Sequence, residues 1–354
     1  MKKNKITLAI IFYLVGFCYS ANARVLPFAE RPDNYVELID GINKCFSIYK
    51  NEYYVIGHKS ADTDTVCSAI TFANLKRHLG LNCKAVVTGN LNNETKFVLD
   101  YWGIEVPEVL EDATDKNLIL VDHNIYGQGV ENIRNANIVE IIDHHNLGDI
   151  VTDRPIIINF LPVGSTATIV YLQYIEQGVR VSRKMAGLMI SAILSDTNNL
   201  TLATTTQTDK CAIANLAKIA ELENIDEYYS KMLEAAISYE GMTDEEIFFS
   251  DYKEFEMNGH KVSISSILAK DEKVQQDLCS RLLKVMNNAD QAIEHRYAFI
   301  IDKNNHKTEI IYFGNGAEEI ARKAFKANNE GKFILDFEAS RKFDIVPPLS
   351  QAYK

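Results

Sequence analysis

The chain has 354 residues, 47% of them apolar, and a formal net charge of −11. Its length exceeds the ~250–300 residues at which single cores stop growing, so two domains are expected. The acidic balance leaves no basic surplus to displace phosphate counterions, which excludes nonspecific nucleic-acid binding as the main activity.

The opening segment "MKKNKITLAIIFYLVGFCYSANA" joins a lysine-rich head to an apolar stretch and ends on Ala21 and Ala23, an A-x-A cleavage pattern. It reads as a signal peptide over residues 1–23, so export to the periplasm or beyond is expected, without stable membrane association once the leader is removed. The rival readings are a retained anchor and a leader left unused, which would keep the protein cytoplasmic. Lipidation at Cys18 is disfavoured by the bulky Phe17 before it. Cleavage would leave Cys45, Cys67, Cys83, Cys211 and Cys279, too scattered for a disulfide framework or a metal knuckle and expected as small core residues.

"EYYVIGH" then reads as a strand and "DTVCSAITFANLKRHLG" as a helix closed by Gly80, followed by the strand "CKAVVTG" and the helix "NETKFVLDYWG". "KNLILVDHN" and "ANIVEIIDHHN" are apolar runs that stop at polar clusters, as strands covered on both faces do. Four helical patterns follow, in "STATIVYLQYIEQG", in "SRKMAGLMISAILSD", over 208–221 and over 226–237. The alternation predicts an α/β fold with a doubly wound parallel sheet over residues 24–237. The polar stretch "SYEGMTDEE" at 238–246 is assigned as a linker. A smaller mixed α/β domain over 247–354 begins with a hairpin at Asn258-Gly259, continues through a helix near 271–289, and pairs "YAFIIDK" with "TEIIYFG". "GNG" at 314–316 reads as a turn.

Three predicted strands end in metal-type ligands: His58, Asp62 and Asp64 after the first, Asp122 after "NLILV", and Asp143, His144 and His145 after "IVEII". Ligands of an open parallel sheet bind beyond the carboxyl ends of its strands, so these groups should converge. Asp196, ending the helix "MAGLMISAILSD", adds a fourth contribution. Taken singly, each has a plainer explanation: Asp64 is well placed to cap the helix that follows it, and a histidine pair on a loop is ordinary surface chemistry. Recurrence at successive strand ends is what argues for a site. So many carboxylates in one crevice would raise one another's pKa values until some protonated, and divalent metal resolves the conflict. Four aspartates and two histidines without thiolate favour two ions of the Mn²⁺, Mg²⁺, Co²⁺ or Fe²⁺ type. Such a pair activates water for attack on phosphorus, pointing to phosphoanhydride or phosphodiester hydrolysis.

The motifs "GHKSADTD", "VDHN", "IDHH", "PVGSTAT", "AGLMISAILSDT" and "SRK" before "VPP" occur in the order of family II inorganic pyrophosphatases, which the chain resembles from about Tyr53 to Pro348. The resemblance implies an N-terminal DHH domain and a C-terminal DHHA2 domain, with the active site in the cleft between them. It implies hydrolysis of pyrophosphate with two divalent ions, Mn²⁺ first and Co²⁺ or Mg²⁺ as alternatives, in a homodimer. By the same resemblance His58, Asp62 and Asp122 would hold one ion, and Asp64, Asp122, His144 and Asp196 the other. His145, Arg341 and Lys342 would face the phosphates.

Two departures bear on specificity. The family carries a further substrate lysine just past the linker; aligned on Thr243, its position falls at Met242 or Gly241, which leaves Lys231 or Lys253 to replace it. Ala61 before Asp62 is similar to the exopolyphosphatase branch of the superfamily. Short polyphosphate, or another phosphoanhydride or phosphodiester, is therefore the alternative substrate. A weakly active relative lacking the lysine is the other reading.

Overall fold

Asn117–Val121 is buried along its whole length, as expected of a central strand covered on both faces. It is β4 of a six-stranded sheet. The others are β1 (Tyr53–Ile56), β2 (Cys83–Val87), β3 (Glu108–Val109), β5 (Asn137–Asp143) and β6 (Ile157–Phe160). All pairings are parallel, in the order β3-β2-β1-β4-β5-β6. The winding reverses between β1 and β4, and a crevice opens at that reversal beyond the strand ends. The computed structural model describes residues 52–288, 292–328 and 330–354. The described residues form one compact unit, while the leader and Cys45 lie outside them.

Helix α1 (Thr63–His78) packs on β1 and β2 and is covered in turn by α3 (Thr166–Glu176) and α4 (Arg183–Asp196). Helices α2 (Asn93–Tyr101), α5 (Gln207–Ala220) and α6 (Ile225–Ala236) complete this half, α5 against α4 and α6 against α2. The other sheet face is closed by loops. Ile56, Leu118, Leu120 and Ile141 pack there with Val130 and Ile133, beside the short turns Tyr126–Gln128 and Ile133–Asn135.

The second half carries α7 (Asp244–Phe249), β7 (Tyr252–Met257), β8 (His260–Ala269), α8 (Glu272–Asn288), β9 (His295–Asp302), β10 (Lys307–Phe313), α9 (Ala317–Ala324), β11 (Phe333–Leu335) and α10 (Val346–Ala352). The sheet runs β11-β10-β9-β8-β7, parallel at β8–β9 and antiparallel elsewhere. Successive residues of β9 serve opposite faces, Phe299 in one apolar cluster and Ile300 in the other. The "GNG" segment is a turn: Gly314 and Gly316 have φ of 123° and 85°, and Gly316 precedes α9.

Several expectations change in detail. Residues 238–246 are built into the second half rather than spanning freely between the two. The Tyr239 hydroxyl donates to the Leu268 carbonyl at 2.9 Å, and Met242 packs on the cluster around Ile247 and Phe248. Thr243 and Glu246 form a reciprocal capping box that starts α7 inside the expected linker. Among the cysteines, Cys67, Cys83 and Cys279 are buried, but Cys211 is exposed on α5. No helix among the described residues is long and apolar enough to cross a membrane.

Candidate metal centre

Gly57 lets β1 turn sharply into α1, since a Cβ there would lie 2.2 Å from Thr65 Cγ2. The turn buries His58 beside the helix start, where its Nε2 lies 3.1 Å from Asp62 Oδ2 and 3.4 Å from Asp122 Oδ2. Asp62 is the residue that caps α1, accepting from the Thr65 backbone N–H at 3.0 Å. Asp64, expected in that role, points inward and caps α3 instead. Its carboxylate accepts from the backbone N–H groups of Thr166 at 2.7 Å and Ala167 at 3.1 Å and from the Ser165 hydroxyl at 2.9 Å. The sequence pattern misleads because an Asp-x-Asp pair offers two carboxylates to one helix start and only one is used there.

Asp122 follows β4 with a left-handed φ of 61°, a conformation that costs energy for a non-glycine residue and marks functional sites. Its backbone N–H is fixed to the Ile142 carbonyl at 2.9 Å. The two carboxylate oxygens face opposite partners. Oδ2 lies 3.4 Å from His58 Nε2, and Oδ1 lies 3.4 Å from His144 Nε2. Thr65 and Thr166 donate to these same two oxygens, at 2.8 Å and 3.0 Å. His144 Nδ1 pairs with the Val163 carbonyl at 2.9 Å, so its Nε2 is the ligand nitrogen. Asp196 Oδ2 completes the group at 3.3 Å from that nitrogen.

Two ligand sets result, His58/Asp62/Asp122 and Asp64/Asp122/His144/Asp196, with Asp122 common to both; a third grouping joins Asp122, His144 and His145. The donor set fits divalent cations. His58 Nε2 and His144 Nε2 are buried without a hydrogen-bond partner, an arrangement that costs free energy unless a ligand engages them. Two of the four carboxylates are frustrated in the same way, while, against burial, the histidines hold Asp62 and Asp122 low. Burial and the neighbouring Asp122 push Asp64 up to about 7, and burial together with Asp64 and Asp122 holds Asp196 well above the usual carboxylate range. His58 rises to about 9 because Asp62 and Asp122 outweigh its burial and the repulsion from Lys253. Two divalent ions would neutralise the four carboxylates of Asp62, Asp64, Asp122 and Asp196.

His145 is oriented by Asp143, whose Oδ1 pairs with its Nδ1 at 2.8 Å and accepts its backbone N–H at 3.0 Å. Asn124 donates to the other Asp143 oxygen. Burial and the adjacent His144 push His145 down to about 4, so it is neutral at pH 7. Asp143, expected as a metal-type ligand, belongs to none of the ligand sets, and neither it nor Asn124 was assigned a supporting role from sequence. Only their spatial pairing gives them one.

The metal-ligand side and the second half enclose a cleft of about 490 Å³. Arg341 and Lys342, in the π-helical turn Arg341–Ile345, reach it from the second half. Lys342 Nζ donates to the His144 carbonyl at 2.7 Å, and burial lowers its pKa. Arg341 is paired with the Asp251 carboxylate, and its Nε and Nη1 are buried without a partner. Lys253, on β7, and Lys303 also line this cleft. Two lysines, Lys231 and Lys253, are candidates for the cation that Met242 does not supply. Of the two candidates, Lys231 is exposed and bound to Glu227 at 2.8 Å, while Lys253 acts electrostatically on His58, Asp62 and Asp196.

Residues 52–193 match the N-terminal domain of the DHH family, and residues 230–352 match the DHHA2 domain. The chain is 41% identical to a manganese-dependent inorganic pyrophosphatase of Methanothrix thermoacetophila over 309 residues, covering 85% of this chain and 98% of the relative. A protein of Clostridium acetobutylicum assigned as a manganese-dependent inorganic pyrophosphatase is 37% identical, with 84% and 97% covered. A crystal structure from Methanococcus jannaschii, assigned as a family II inorganic pyrophosphatase, superposes with a TM-score of 0.76 at 34% identity, covering 85% of this chain and 99% of that one. With both domains matched and these relatives covered nearly end to end, the chain belongs to the family II, manganese-dependent inorganic pyrophosphatases of the DHH superfamily.

Proposed function

We propose that this protein hydrolyses inorganic pyrophosphate to two phosphates, using two divalent ions with Mn²⁺ preferred. The observation that carries this reading is the Asp122 carboxylate, one oxygen 3.4 Å from each of two histidines that belong to separate ligand sets. Divalent ions, if held by these two sets, would supply Lewis acidity toward water and phosphate. The chain's own residues do the rest. Lys253, Arg341 and Lys342 set three cations against the anionic substrate, where preorganised positive groups stabilise developing charge. His145, neutral and held through Nδ1 by Asp143, keeps its other ring nitrogen available to accept a proton or hydrogen bond from the reacting phosphate.

The test is phosphate release by protein lacking residues 1–23, with Mn²⁺, on pyrophosphate beside tripolyphosphate and a dinucleotide. Selective pyrophosphate turnover is expected, because Lys253 supplies the cation that Met242 does not. Preference for tripolyphosphate by tenfold or more in kcat/KM, about 1.4 kcal/mol, would instead assign the site to polyphosphate.

The lysine-rich head, apolar stretch and A-x-A pattern of residues 1–23 support export. Assembly as a homodimer is supported by the edge strand β6, which exposes Ile158, beside exposed Leu147 and Val151. Export predicts a shortened chain outside the cytoplasm, and assembly predicts a two-chain mass by light scattering. Full-length protein in the cytoplasm, or a one-chain mass, would remove the respective reading.

A further inference from the structure

The segment after the metal ligand Asp196 is strained in an unusual way. Asn198, Asn199 and Leu200 are three consecutive non-glycine residues with left-handed φ of 47°, 53° and 64°, a conformation that Asn adopts singly but that is unusual in a run and for Leu. Local bonds maintain it: the Leu200 N–H donates to Thr197 Oγ1 at 3.1 Å, and Asn199 Nδ2 donates to Asp226 at 2.9 Å. The turn carries the Asn198 side chain to the wall of the cleft.

There it meets the second half of the protein. Asn198 Nδ2 donates to Glu338 Oε2 at 2.7 Å, and Asn198 Oδ1 accepts from Lys303 Nζ at 2.8 Å and from the Tyr229 hydroxyl at 2.5 Å. Lys303 and Glu338 close the triangle with an ion pair whose side chains are only 10% and 12% exposed. Glu338 also pairs with His306 Nδ1 at 2.7 Å; screening is weak at that depth, and removing Glu338 would leave the Lys303 ammonium without its ion-pair partner. Glu338 stands three residues before Arg341 and four before Lys342. The intervening Ala339 is buried, with its N–H donating to Thr308 Oγ1 at 2.9 Å, so the segment transmits a displacement instead of absorbing it.

We propose that Asn198, Lys303 and Glu338 form a latch that holds the two halves closed, positioning Arg341 and Lys342 over the metal-ligand side. The three are positioning residues. Among the described residues, other polar links between the halves include Lys342 to the His144 carbonyl, Asn93 to the Ser238 carbonyl at 2.6 Å and Ser60 to the Tyr252 carbonyl. The latch differs in joining the metal-ligand turn to the clamp segment through Asn198, whose amide bonds both members of an ion pair that lies within the second half.

The kinetic arm of the test rests on pyrophosphate being the substrate; the exchange arm does not. In the full mature chain, Asn198→Gly removes the side chain while tolerating the left-handed backbone, and Glu338→Gln removes the charge. If only about one molecule in ten remains closed, apparent substrate affinity falls by that fraction. KM for pyrophosphate should then rise about tenfold in each variant, with kcat within threefold and Mn²⁺ affinity unchanged. Lys303→Arg should keep most of the wild-type KM. Hydrogen exchange at residues 238–242 and 340–342 should accelerate at least about fivefold in both latch variants, whatever the substrate proves to be. Unchanged exchange with KM within twofold would overturn the latch. So would a fall in kcat at constant KM, which would place Lys303 against the reacting phosphate. A wild-type protein inactive on pyrophosphate would remove the proposed function while the exchange result still decides the latch.

Discussion

Asp122→Ala should reduce kcat/KM for pyrophosphate by about a thousandfold. The expectation follows from the shared position of this carboxylate, since its two oxygens face His58 and His144 separately and its loss loosens both ligand sets at once. A Lewis-acidic metal contributes several kcal/mol to transition-state charge stabilisation, and each ~1.4 kcal/mol is a factor of ten in rate. The variant should also respond less to metal. A ligand that binds only the folded form at 100 times its Kd stabilises it by about 2.7 kcal/mol. Mn²⁺ should therefore raise the Tm of the wild-type protein by several degrees and that of Asp122→Ala by much less. A rate loss below about tenfold, with an undiminished Mn²⁺-dependent Tm shift, would show that Asp122 does not bridge.

Lys253→Met should cost about a hundredfold or more in kcat/KM, the scale of losing one preorganised group that stabilises developing charge. Its stem still fits beside β7 in the variant, so the loss should come without unfolding. Lys231→Met is the matched control: that lysine is exposed and tied to Glu227, and activity should stay within twofold. Met242→Lys should not rescue Lys253→Met, because Met242 packs on the Ile247 and Phe248 cluster. Equal activity of Lys253→Met and wild type would show that Lys253 does not supply the missing cation.

The parallel sheet and the metal ligands were legible because they rest on the same signal. Apolar runs that end abruptly in His or Asp announce both a buried strand and the crevice beyond it. The second-half hairpin was equally plain from Asn258-Gly259, whose φ values of 50° and 84° are the left-handed pair that a two-residue turn needs. What escaped depended on distance in space. Asp64 looks like a cap for its own helix and instead caps one about a hundred residues later. Lys253 was one of two lysines left open from sequence, and only the path of β7 brings it into the cleft. The contact between Asn198 and Glu338 spans 140 positions and has no periodic signature at all.

The strand order has a consequence for when metal can enter. The ligands run from His58 to Asp196, and the two halves of the set meet only once β1 has inserted between β2 and β4. Pairings so distant in sequence form late, because the loop-closure entropy must be overcome before they stabilise anything. A nascent chain thus offers scattered aspartates and histidines, and the preformed site that binds a hard cation exists only after the sheet has closed. Mn²⁺ sits near the weak end of the divalent affinity order. Occupancy is then decided by which ions surround the protein where folding finishes, and the compartment of folding becomes a determinant of which metal the enzyme carries.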